Sequence, residues 1–282
     1  MNLLLGSSGE LGSSLSKRDL SNISHSLPRS GLNEWIAGGE EFIRQQLVNF
    51  LDESNERVNI FYCVGNTNPN ASVEELDTLN FELPKSIAKA SIDLPFRLIT
   101  FGSVHEDSKI SNSYMNSKKK FRDFLVGQDS NFNWNHFQLH TLYSEKFPKP
   151  YMFLGQILQA LTTGDKFKMS SGTQFRQFHH TSDVVDAVVT LLPDISVNSV
   201  FQVSSNNSIQ LVELASAIFS HLGELKNLEI GALGDSENEI YSGGYPVSNS
   251  LRDHYFRNSL KEIPRILSDE WLPGYMNNIS RN

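Results

Sequence analysis

Three glycines stand three residues apart at the start of the chain, directly after an apolar run. They are Gly6, Gly9 and Gly12 in the stretch MNLLLGSSGELGSSL. A strand that passes through glycines into a helix forms an anion site, because backbone N–H groups and the helix dipole point at the turn. Glycine also lets a pyrophosphate approach the backbone closely. The stretch therefore predicts a dinucleotide-binding turn, although its G-x-x-G-x-x-G spacing differs from the common fingerprint, and a glycine turn without a ligand is the alternative. The residues predicted to line this turn are Gly6, Ser8, Gly9, Glu10, Leu11 and Gly12.

A tyrosine and a lysine form the second pattern with chemical meaning. Tyr114 and Lys118 are four residues apart in SNSYMNSKKKF, so on a helix they share one face, one turn from each other. A nearby ammonium and a positively charged nicotinamide ring both lower the pKa of a tyrosine. Tyr114 could then exchange a proton with a sugar or alcohol oxygen during hydride transfer, and Lys118 would hold the nicotinamide ribose. A solvated helix face is the alternative reading of this spacing.

The second predicted strand should select the ribose of the cofactor. An acidic residue there favours NAD, but SNISHSLPRS contains none and offers Ser26, Arg29 and Ser30 instead. Arg29 could accommodate a 2′-phosphate, which favours NADP(H) over NAD(H). An exposed loop arginine is an equally weighted alternative.

Alternating strand and helix patterns must position these residues. Apolar runs at NLLL, VNIFYCV, FRLITFGS and WNHFQLHTLY predict strands, and amphipathic stretches between them predict helices. This order predicts an α/β fold with a Rossmann-type, doubly wound parallel sheet. The rhythm changes near residue 145. We therefore predict a dinucleotide-binding domain over 1–145 with parts of 170–205, and a smaller, discontinuous C-terminal α/β lobe over 146–282 for the substrate.

Composition excludes several other classes of protein. The 282 residues carry a net charge of −8, which argues against a binder of duplex nucleic acid. Since no stretch approaches the 18 apolar residues of a membrane span, no membrane partner is expected. The single cysteine, Cys63, permits no disulfide within the chain and fits a reducing cytoplasm, where we expect the protein to act.

Together these motifs resemble the extended short-chain dehydrogenase/reductase family, in its nucleotide-sugar epimerase, dehydratase and ketoreductase branch. GSSGELG, the Tyr114–Lys118 pair and RQFHHTSDVVDAV carry the resemblance, which covers nearly the whole chain. It implies that the end of VNIFYCVGNTNP lines the cofactor and that LNFELPKSIAKAS supplies an asparagine. It also implies a catalytic hydroxyl in ITFGSVHED, for which Ser103 is the first candidate and Thr100 the second. The additional cofactor residues implied in this way are Val64, Gly65, Asn66 and Asn80.

The resemblance also implies the partners of the chain. Arg176, in RQFHHTSDVVDAV, would grip the phosphates of a nucleotide-diphosphate sugar, because a guanidinium suits phosphate oxygens. A homodimer would form through the helices that carry Asn80 and Tyr114. Asp183 is expected to cap a helix. The neighbouring His179 and His180 have no further metal-ligating residues near them in the sequence, so no metal site is expected. Other candidate substrate contacts are Ser103, His105, Tyr151, Met152, Phe153, Gln156 and Arg252.

The reaction follows from what surrounds the candidate hydroxyl. A 4,6-dehydratase of this family would carry an Asp-Glu pair directly after it, whereas Val104 and His105 follow Ser103, and we read Glu106 and Asp107 as a solvated loop. We therefore expect an NADP(H)-dependent reductase of a nucleotide-linked keto sugar, with Tyr114 as general acid. The preferred substrate class is a 4-keto-6-deoxy sugar. The family suggests bacterial polysaccharide synthesis. The alternatives are an NAD-dependent nucleotide-sugar epimerase and a non-catalytic, dinucleotide-sensing protein.

Overall fold

The computed structural model describes residues 2–18, 23–52, 58–106, 112–128, 132–235, 245 and 248–279. The chain divides into two compact units. The first comprises Met1–Leu139 and Val188–Val203, and the second comprises His140–Ala187 and Ser204–Asn282. Which ligand each unit binds stays a prediction. Within the described ranges, no helix is long and apolar enough to cross a membrane.

A six-stranded sheet forms the centre of the first unit. Its strands are β1 (Asn2–Leu5), β2 (Ile23–Leu27), β3 (Val58–Tyr62), β4 (Phe96–Ser103), β5 (Asn133–Leu139) and β10 (Ser199–Gln202). All neighbouring strands pair in parallel, in the spatial order β2-β1-β3-β4-β5-β10. The chain order thus reverses between β1 and β3, and ligands of open α/β sheets bind at such a point, outside the carboxyl ends of the strands. The predicted Rossmann-type fold is confirmed.

Helices cover this sheet because the strands are apolar on both faces. They are α1 (Glu10–Lys17), α2 (Asn33–Asp52), α3 (Val73–Asp77), α4 (Leu83–Ala90) and α5 (Ser113–Val126). One buried cluster joins Leu98 of β4 to Ile87 of α4 and to Phe121 and Leu125 of α5. Burial of each such side chain contributes about 1.5–3 kcal/mol. Phe121 and Leu125 therefore belong to the core of this unit.

A π-helical turn, Thr78–Glu82, connects α3 to α4. The sequence predicts one helix here, with Pro84 as a possible kink. In the structure Pro84 lies in the first turn of α4, and the irregularity precedes it. Single π turns of this kind occur often at functional sites.

Within its described residues, the second unit contains three short strand pairs, four whole α-helices and most of a fifth, whose residues 188–191 belong to the first unit. Its strands are β6 (Thr141–Tyr143), β7 (Phe167–Lys168), β8 (Phe175–Arg176), β9 (Phe178–His180), β11 (Ile209–Gln210) and β12 (Leu228–Glu229). β6 pairs with β9 and β7 with β12 in parallel, whereas β8 pairs with β11 antiparallel. The helices are α6 (Phe153–Thr163), α7 (Thr181–Leu191), α8 (Leu211–His221), α9 (Ser259–Ile266) and α10 (Leu272–Ile279).

Two expectations about this part of the chain need correction. The predicted strand WNHFQLHTLY is two strands, because the pairing of β5 ends at Leu139 and His140 instead binds Ser204 Oγ at 2.8 Å. The predicted last helix, around LKEIPRIL, is α9, and α10 follows it after a second π turn, Leu267–Trp271. The buried Trp271 anchors that turn by donating its indole N–H to Ser144 O at 3.2 Å.

Candidate active site at the carboxyl ends of β1, β3 and β4

The glycine turn after β1 is packed too tightly for side chains. Gly6 has φ +89°, and a Cβ there would lie 2.9 Å from the carbonyl carbon of Cys63 and from Val64 Cγ2. A Cβ on Gly12 would collide with Gly6 O. The turn is thereby pressed against the residues that follow β3, and α1 is pressed against the turn. Each contact requires a glycine, as a dinucleotide-binding turn does.

The start of α1 fits a phosphate group. Gly9 is its N-cap, and no side chain caps this end of the helix. The N–H groups of Gly6 and Ser7 both donate to Leu27 O, at 2.7 and 3.2 Å, which ties the turn to β2. Glu10 lies in the first helical turn, and Leu11 packs into the core. An uncapped helix N-terminus beside a glycine cradle is the arrangement that binds the pyrophosphate of a dinucleotide.

Arg29 lies beside this turn, after the end of β2. Its backbone N–H donates to Ser8 Oγ at 3.4 Å, and its side chain is exposed. From Ile23 to Leu32 the chain carries no acidic residue. The position that could select a ribose therefore offers hydroxyl groups and a guanidinium rather than a carboxylate.

α5 holds the Tyr114–Lys118 pair. Asn112 caps this helix by accepting an N–H from Met115 at 2.8 Å. Tyr114 is half-buried in the first turn. One turn later, the side chain of Lys118 is buried and its Nζ donates to Phe101 O of β4 at 3.0 Å. β3 pairs with β4 only as far as Thr100, so Lys118 binds the next β4 carbonyl along the strand.

Asn80, in the π turn, joins the end of β3 to α5. Its Oδ1 accepts the Asn66 N–H at 2.9 Å, and its Nδ2 donates to Asn66 O at 2.9 Å and to Ser117 Oγ at 3.0 Å. A Cβ on Gly65 would lie 3.1 Å from Asn80 Oδ1 and 3.4 Å from Lys118 Nζ. The structure therefore brings the predicted residues of the β3 loop, Asn80 and Lys118 into one cluster.

Burial and charge act against each other on Lys118. Burial lowers the pKa of its ammonium, while the negative charge of the Glu106 carboxylate acts to raise it. Burial also raises the pKa of Cys63 well above its usual range, so this group remains a neutral thiol at neutral pH.

The two hydroxyls predicted for catalysis lie in different surroundings. Thr100 is 2% exposed, and its Oγ1 lies 2.8 Å from His136 Nδ1. Ser103 Oγ accepts the backbone N–H of His105, itself half-buried, at 3.2 Å. Because strand residues alternate, Thr100 and Ser103 leave β4 on opposite faces. α5 packs on the face of Thr100, where the ring of Phe121 lies 6.2 Å from that of His136.

Glu106 corrects an expectation from the sequence. It is not part of a solvated loop: its side chain is 0% exposed. Its carboxylate accepts the Ser103 N–H at 2.9 Å and Gln138 Nε2 at 3.1 Å, and it lies 3.2 Å from His136 Nε2. His136 and Gln138 stand two apart in β5, so they share one face of the sheet, and they were the signal in the sequence, since a buried polar group needs a partner. Asp107 lies outside the described residues.

The predicted contacts for the sugar and the diphosphate belong to the second unit, apart from Ser103 and His105. Tyr151 precedes α6, Met152 is its N-cap, and Gln156 Nε2 donates to Tyr151 O at 3.2 Å. The ring of Phe153 lies 5.7 Å from that of Phe167, within a hydrophobic cluster.

The predicted phosphate-binding arginines lie on two other elements of that unit. Arg176, in β8, donates to Phe175 O at 2.9 Å and is half-buried. The exposed Arg252 follows a 3-10 turn, and its NH2 lies 3.4 Å from Asn249 Oδ1. The role of both side chains toward a ligand stays a prediction.

Asp183 is not a helix N-cap. It lies in the first turn of α7, where its carboxylate accepts the backbone N–H of Arg257 at 2.8 Å and the guanidinium at 2.7 Å. Both neighbouring histidines are buried: His179 binds Ser205 Oγ at 3.1 Å, and His180 lies 3.2 Å from Glu145 Oε1. In the part of the chain that the structure describes, no three His, Cys, Asp or Glu side chains form a group that could hold a metal ion.

Comparison with known proteins gives likeness in structure but not in sequence. No protein-family model matches the chain, and no curated protein matches it. Among solved structures, a UDP-glucuronic acid 4-epimerase from Bacillus cereus, in complex with UDP-glucuronic acid and NAD, superposes with a TM-score of 0.73 at 13% identity, over 99% of this chain and 100% of that one.

Two further enzymes superpose over similar lengths. A dTDP-glucose 4,6-dehydratase from Streptomyces venezuelae, solved with NAD, gives a TM-score of 0.72 at 13% identity over 95% and 97% of the two chains. A UDP-glucose 4-epimerase from Thermotoga maritima, solved with UDP-glucose, gives 0.72 at 14% identity over 95% and 99%. This chain therefore has the fold that extended short-chain dehydrogenase/reductase enzymes of the nucleotide-sugar dehydratase and epimerase kind share, as the sequence resemblance predicted.

Proposed function

We propose that this chain is an oxidoreductase that uses a nicotinamide dinucleotide to modify a nucleotide-linked sugar. The observation that carries the proposal is the cluster at one end of the sheet. There Lys118, one helical turn after Tyr114, extends to the end of β4 beside Asn80 and Gly65. The glycine turn follows β1, the neighbour of β3, at the same end of the sheet. The likeness in fold to NAD-bound enzymes acting on nucleotide sugars supports the same conclusion.

For the cofactor we propose NADP(H), with NAD(H) as the alternative. The absence of an acidic residue from Ile23 to Leu32 and the place of Arg29 beside Ser8 support a 2′-phosphate. The similar structures from B. cereus and S. venezuelae contain NAD, which supports the alternative.

For the reaction we propose reduction of a keto group, in a nucleotide-linked 4-keto-6-deoxy sugar. A bound, reduced nicotinamide supplies the hydride. Tyr114 donates its phenol proton to the carbonyl oxygen and is protonated again from solvent, so the ketone becomes an alcohol. The Lys118 ammonium stabilises the tyrosinate left behind. Ser103 is the proposed hydroxyl that orients the oxygen, and Arg176 and Arg252 are the proposed contacts to the diphosphate.

Dehydration is less well supported by the residues around β4. A base for that reaction must reach the substrate, but Glu106 is fully buried and its carboxylate is engaged by Ser103, His136 and Gln138. Removing that carboxylate from its partners to serve as a base would leave them unsatisfied, at a cost of about 1–3 kcal/mol for each buried group.

The second candidate function is a nucleotide-sugar 4-epimerase that retains NAD. The similarity in fold to the epimerases of B. cereus and T. maritima favours it. In that reaction Tyr114 and Lys118 would have the same roles, but the hydride would return to the other face of the same sugar. There would be no net change in nicotinamide absorbance, and the product would be an isomer of the substrate.

The first experiment is a separate titration of the purified chain with NADPH and with NADH, followed by nicotinamide fluorescence. We expect tight binding of NADPH that weakens in Arg29→Ala and persists in Tyr114→Phe. Arg18→Ala, in the same unit, and Tyr255→Phe, at a side chain that is 74% exposed, are the matched controls.

The outcomes separate the candidate functions. With 4-keto-6-deoxy sugar nucleotides, a reductase oxidises NADPH, and Tyr114→Phe abolishes that oxidation. If NAD copurifies with the chain and the sugar is isomerised, the epimerase function replaces the reductase function. Binding without turnover would favour a dinucleotide-sensing protein, and failure to bind either cofactor would overturn the enzyme proposal. Sedimentation of the same sample tests the proposed homodimer.

A further inference from the structure

We infer that Glu106 is a positioning residue of the Tyr114–Lys118 site, whose buried carboxylate fixes the end of β4 and supplies the counter-charge to the Lys118 ammonium. This inference rests on the proposed function for its catalytic consequence, whereas its electrostatic part does not depend on that function.

The carboxylate of Glu106 has a complete set of partners. Oε1 accepts the backbone N–H of Ser103 at 2.9 Å, and Oε2 accepts Gln138 Nε2 at 3.1 Å and lies 3.2 Å from His136 Nε2. His136 Nδ1 in turn lies within hydrogen-bond distance of Thr100 Oγ1, at 2.8 Å. Because a carboxylate only accepts hydrogen bonds, the network assigns the ring proton to Nε2, which donates to Glu106, and leaves Nδ1 to accept from Thr100 Oγ1.

Gly102 lets the carboxylate approach the strand. A Cβ at this position would collide with Glu106 Oε1 and with His136 Nε2. The carboxylate therefore packs directly on the backbone of β4, on the face that α5 covers. Its loop folds back over the strand end through the Glu106 N–H, which donates to Ser103 O at 3.1 Å.

Glu106 and Lys118 bind two successive peptide groups of β4. Lys118 Nζ donates to Phe101 O, and the Glu106 carboxylate accepts from Ser103 N, so Gly102 lies between the two charges. The ammonium binds the carbonyl end of one peptide dipole, and the carboxylate binds the N–H end of the next. This arrangement fixes the backbone at the point where Ser103 begins.

Among the described residues, Glu106 is the carboxylate whose charge acts to raise the pKa of Lys118. The groups that act on Lys118 from the neighbouring elements are Glu106, after β4, and Cys63, after β3. Burial keeps Cys63 a neutral thiol. Tyr114 faces Lys118 from the same helix, and a charged Lys118 favours its tyrosinate. Loss of the Glu106 charge therefore weakens the support that Lys118 gives to Tyr114.

The row of Thr100, His136 and Glu106 has the order of a hydroxyl, an imidazole and a carboxylate, but it is not itself a catalytic centre. Thr100 is 2% exposed and lies within the sheet, between paired strands. No substrate can reach a hydroxyl in that position. The row acts on the site only through the backbone of β4 and through Lys118.

The test is a titration of Lys118 by NMR of 13C-lysine-labelled protein without cofactor, with the resonance assigned by its loss in Lys118→Met. In Glu106→Gln we expect the midpoint of Lys118 to fall by about one pH unit, as is typical when a nearby opposite charge is removed. Glu74→Gln, on the exposed side of α3, should leave it unchanged. An unchanged midpoint in Glu106→Gln overturns the inference.

A second measurement uses the unaltered chain, so it does not depend on whether the Glu106→Gln variant folds. The 13C carboxyl resonance of Glu106 should show a step at the midpoint of Lys118, because the two groups bind neighbouring peptide groups of β4 and the charge of one acts on the other. Absence of that step overturns the inference in the same way.

Turnover tests the catalytic consequence and separates it from the proposed function. In Glu106→Gln we expect kcat to fall about tenfold, the equivalent of one pKa unit, with the KM for the nicotinamide dinucleotide within about twofold. Glu106→Asp, which keeps the charge, should restore part of kcat. If Lys118 titrates lower in Glu106→Gln but the unaltered chain turns over no sugar nucleotide, the proposed function fails and the electrostatic inference stands.

Discussion

Asn80→Ala tests whether the π turn holds the candidate site together. The substitution removes an amide that is 1% exposed and three hydrogen bonds, two to Asn66 and one to Ser117. At about 1 kcal/mol for each bond the loss would be about 3 kcal/mol. Asn66 is half-buried, so water can satisfy part of what it loses, and we expect the free energy of unfolding of the first unit to fall by about 2 kcal/mol.

Two assays measure that loss. Urea unfolding followed by tryptophan fluorescence reports the whole unit through Trp35 and Trp134, which both lie in its core. Hydrogen exchange reports the site itself: a loss of about 2 kcal/mol in local stability corresponds to about thirtyfold faster exchange of the Asn66 amide. Because Asn80 also fixes Gly65 beside Lys118, dinucleotide binding should weaken together with stability.

The control is Asn70→Ala, an exposed asparagine in the same loop region. It should change neither urea unfolding nor dinucleotide binding. A loss below about 0.5 kcal/mol in Asn80→Ala, which is typical of a surface substitution, would refute the reasoning that Asn80 is the link between β3 and α5.

Three further predictions address other parts of the chain. Gly12→Ala should abolish dinucleotide binding and lower the melting temperature, because its Cβ would collide with Gly6 O; unaltered binding would contradict the close packing of the turn. Arg257→Met should lower the free energy of unfolding of the second unit by about 3–5 kcal/mol, measured in urea, because it leaves the buried Asp183 carboxylate without its guanidinium partner. The double variant with Asp183→Asn, which removes the unpaired charge, should recover part of that loss. Burial lowers the pKa of His179 to about 3 in the folded chain, whereas the pKa of a histidine in the unfolded chain is about 6.5. Because only the unfolded chain takes up this proton between those values, the stability that the neutral His179 contributes is complete above about pH 6.5 and is lost as pH falls toward 3. His179→Leu should therefore flatten the fall of stability over that range in acid unfolding curves, and an equal slope in both proteins would show that His179 does not titrate as described.

Local patterns in the sequence predicted most of the first unit. The strands β1, β3 and β4 are short apolar runs bounded by polar turns, and such runs have few alternatives to burial in a parallel sheet. The four-residue spacing of Tyr114 and Lys118 gives a shared helix face by geometry alone. The sequence predicted one helix and did not indicate the π turn, because its residues have ordinary helical propensities; in the structure Asn80 of that turn binds Asn66 and Ser117.

Glu106 shows why the rest needed the tertiary structure. In the sequence it follows a histidine, and an acidic residue after a strand is most often solvated. Its burial depends on His136 and Gln138, which are 30 and 32 residues away in β5, and on the absence of a side chain at Gly102. Asp183 was misread for the same reason, since its partner Arg257 lies 74 residues away. The sequence by itself determined which elements form and which residues could do chemistry, because those depend on near neighbours. Only the tertiary structure decided which charges are buried and paired, because that depends on groups that folding brings together from distant parts of the chain.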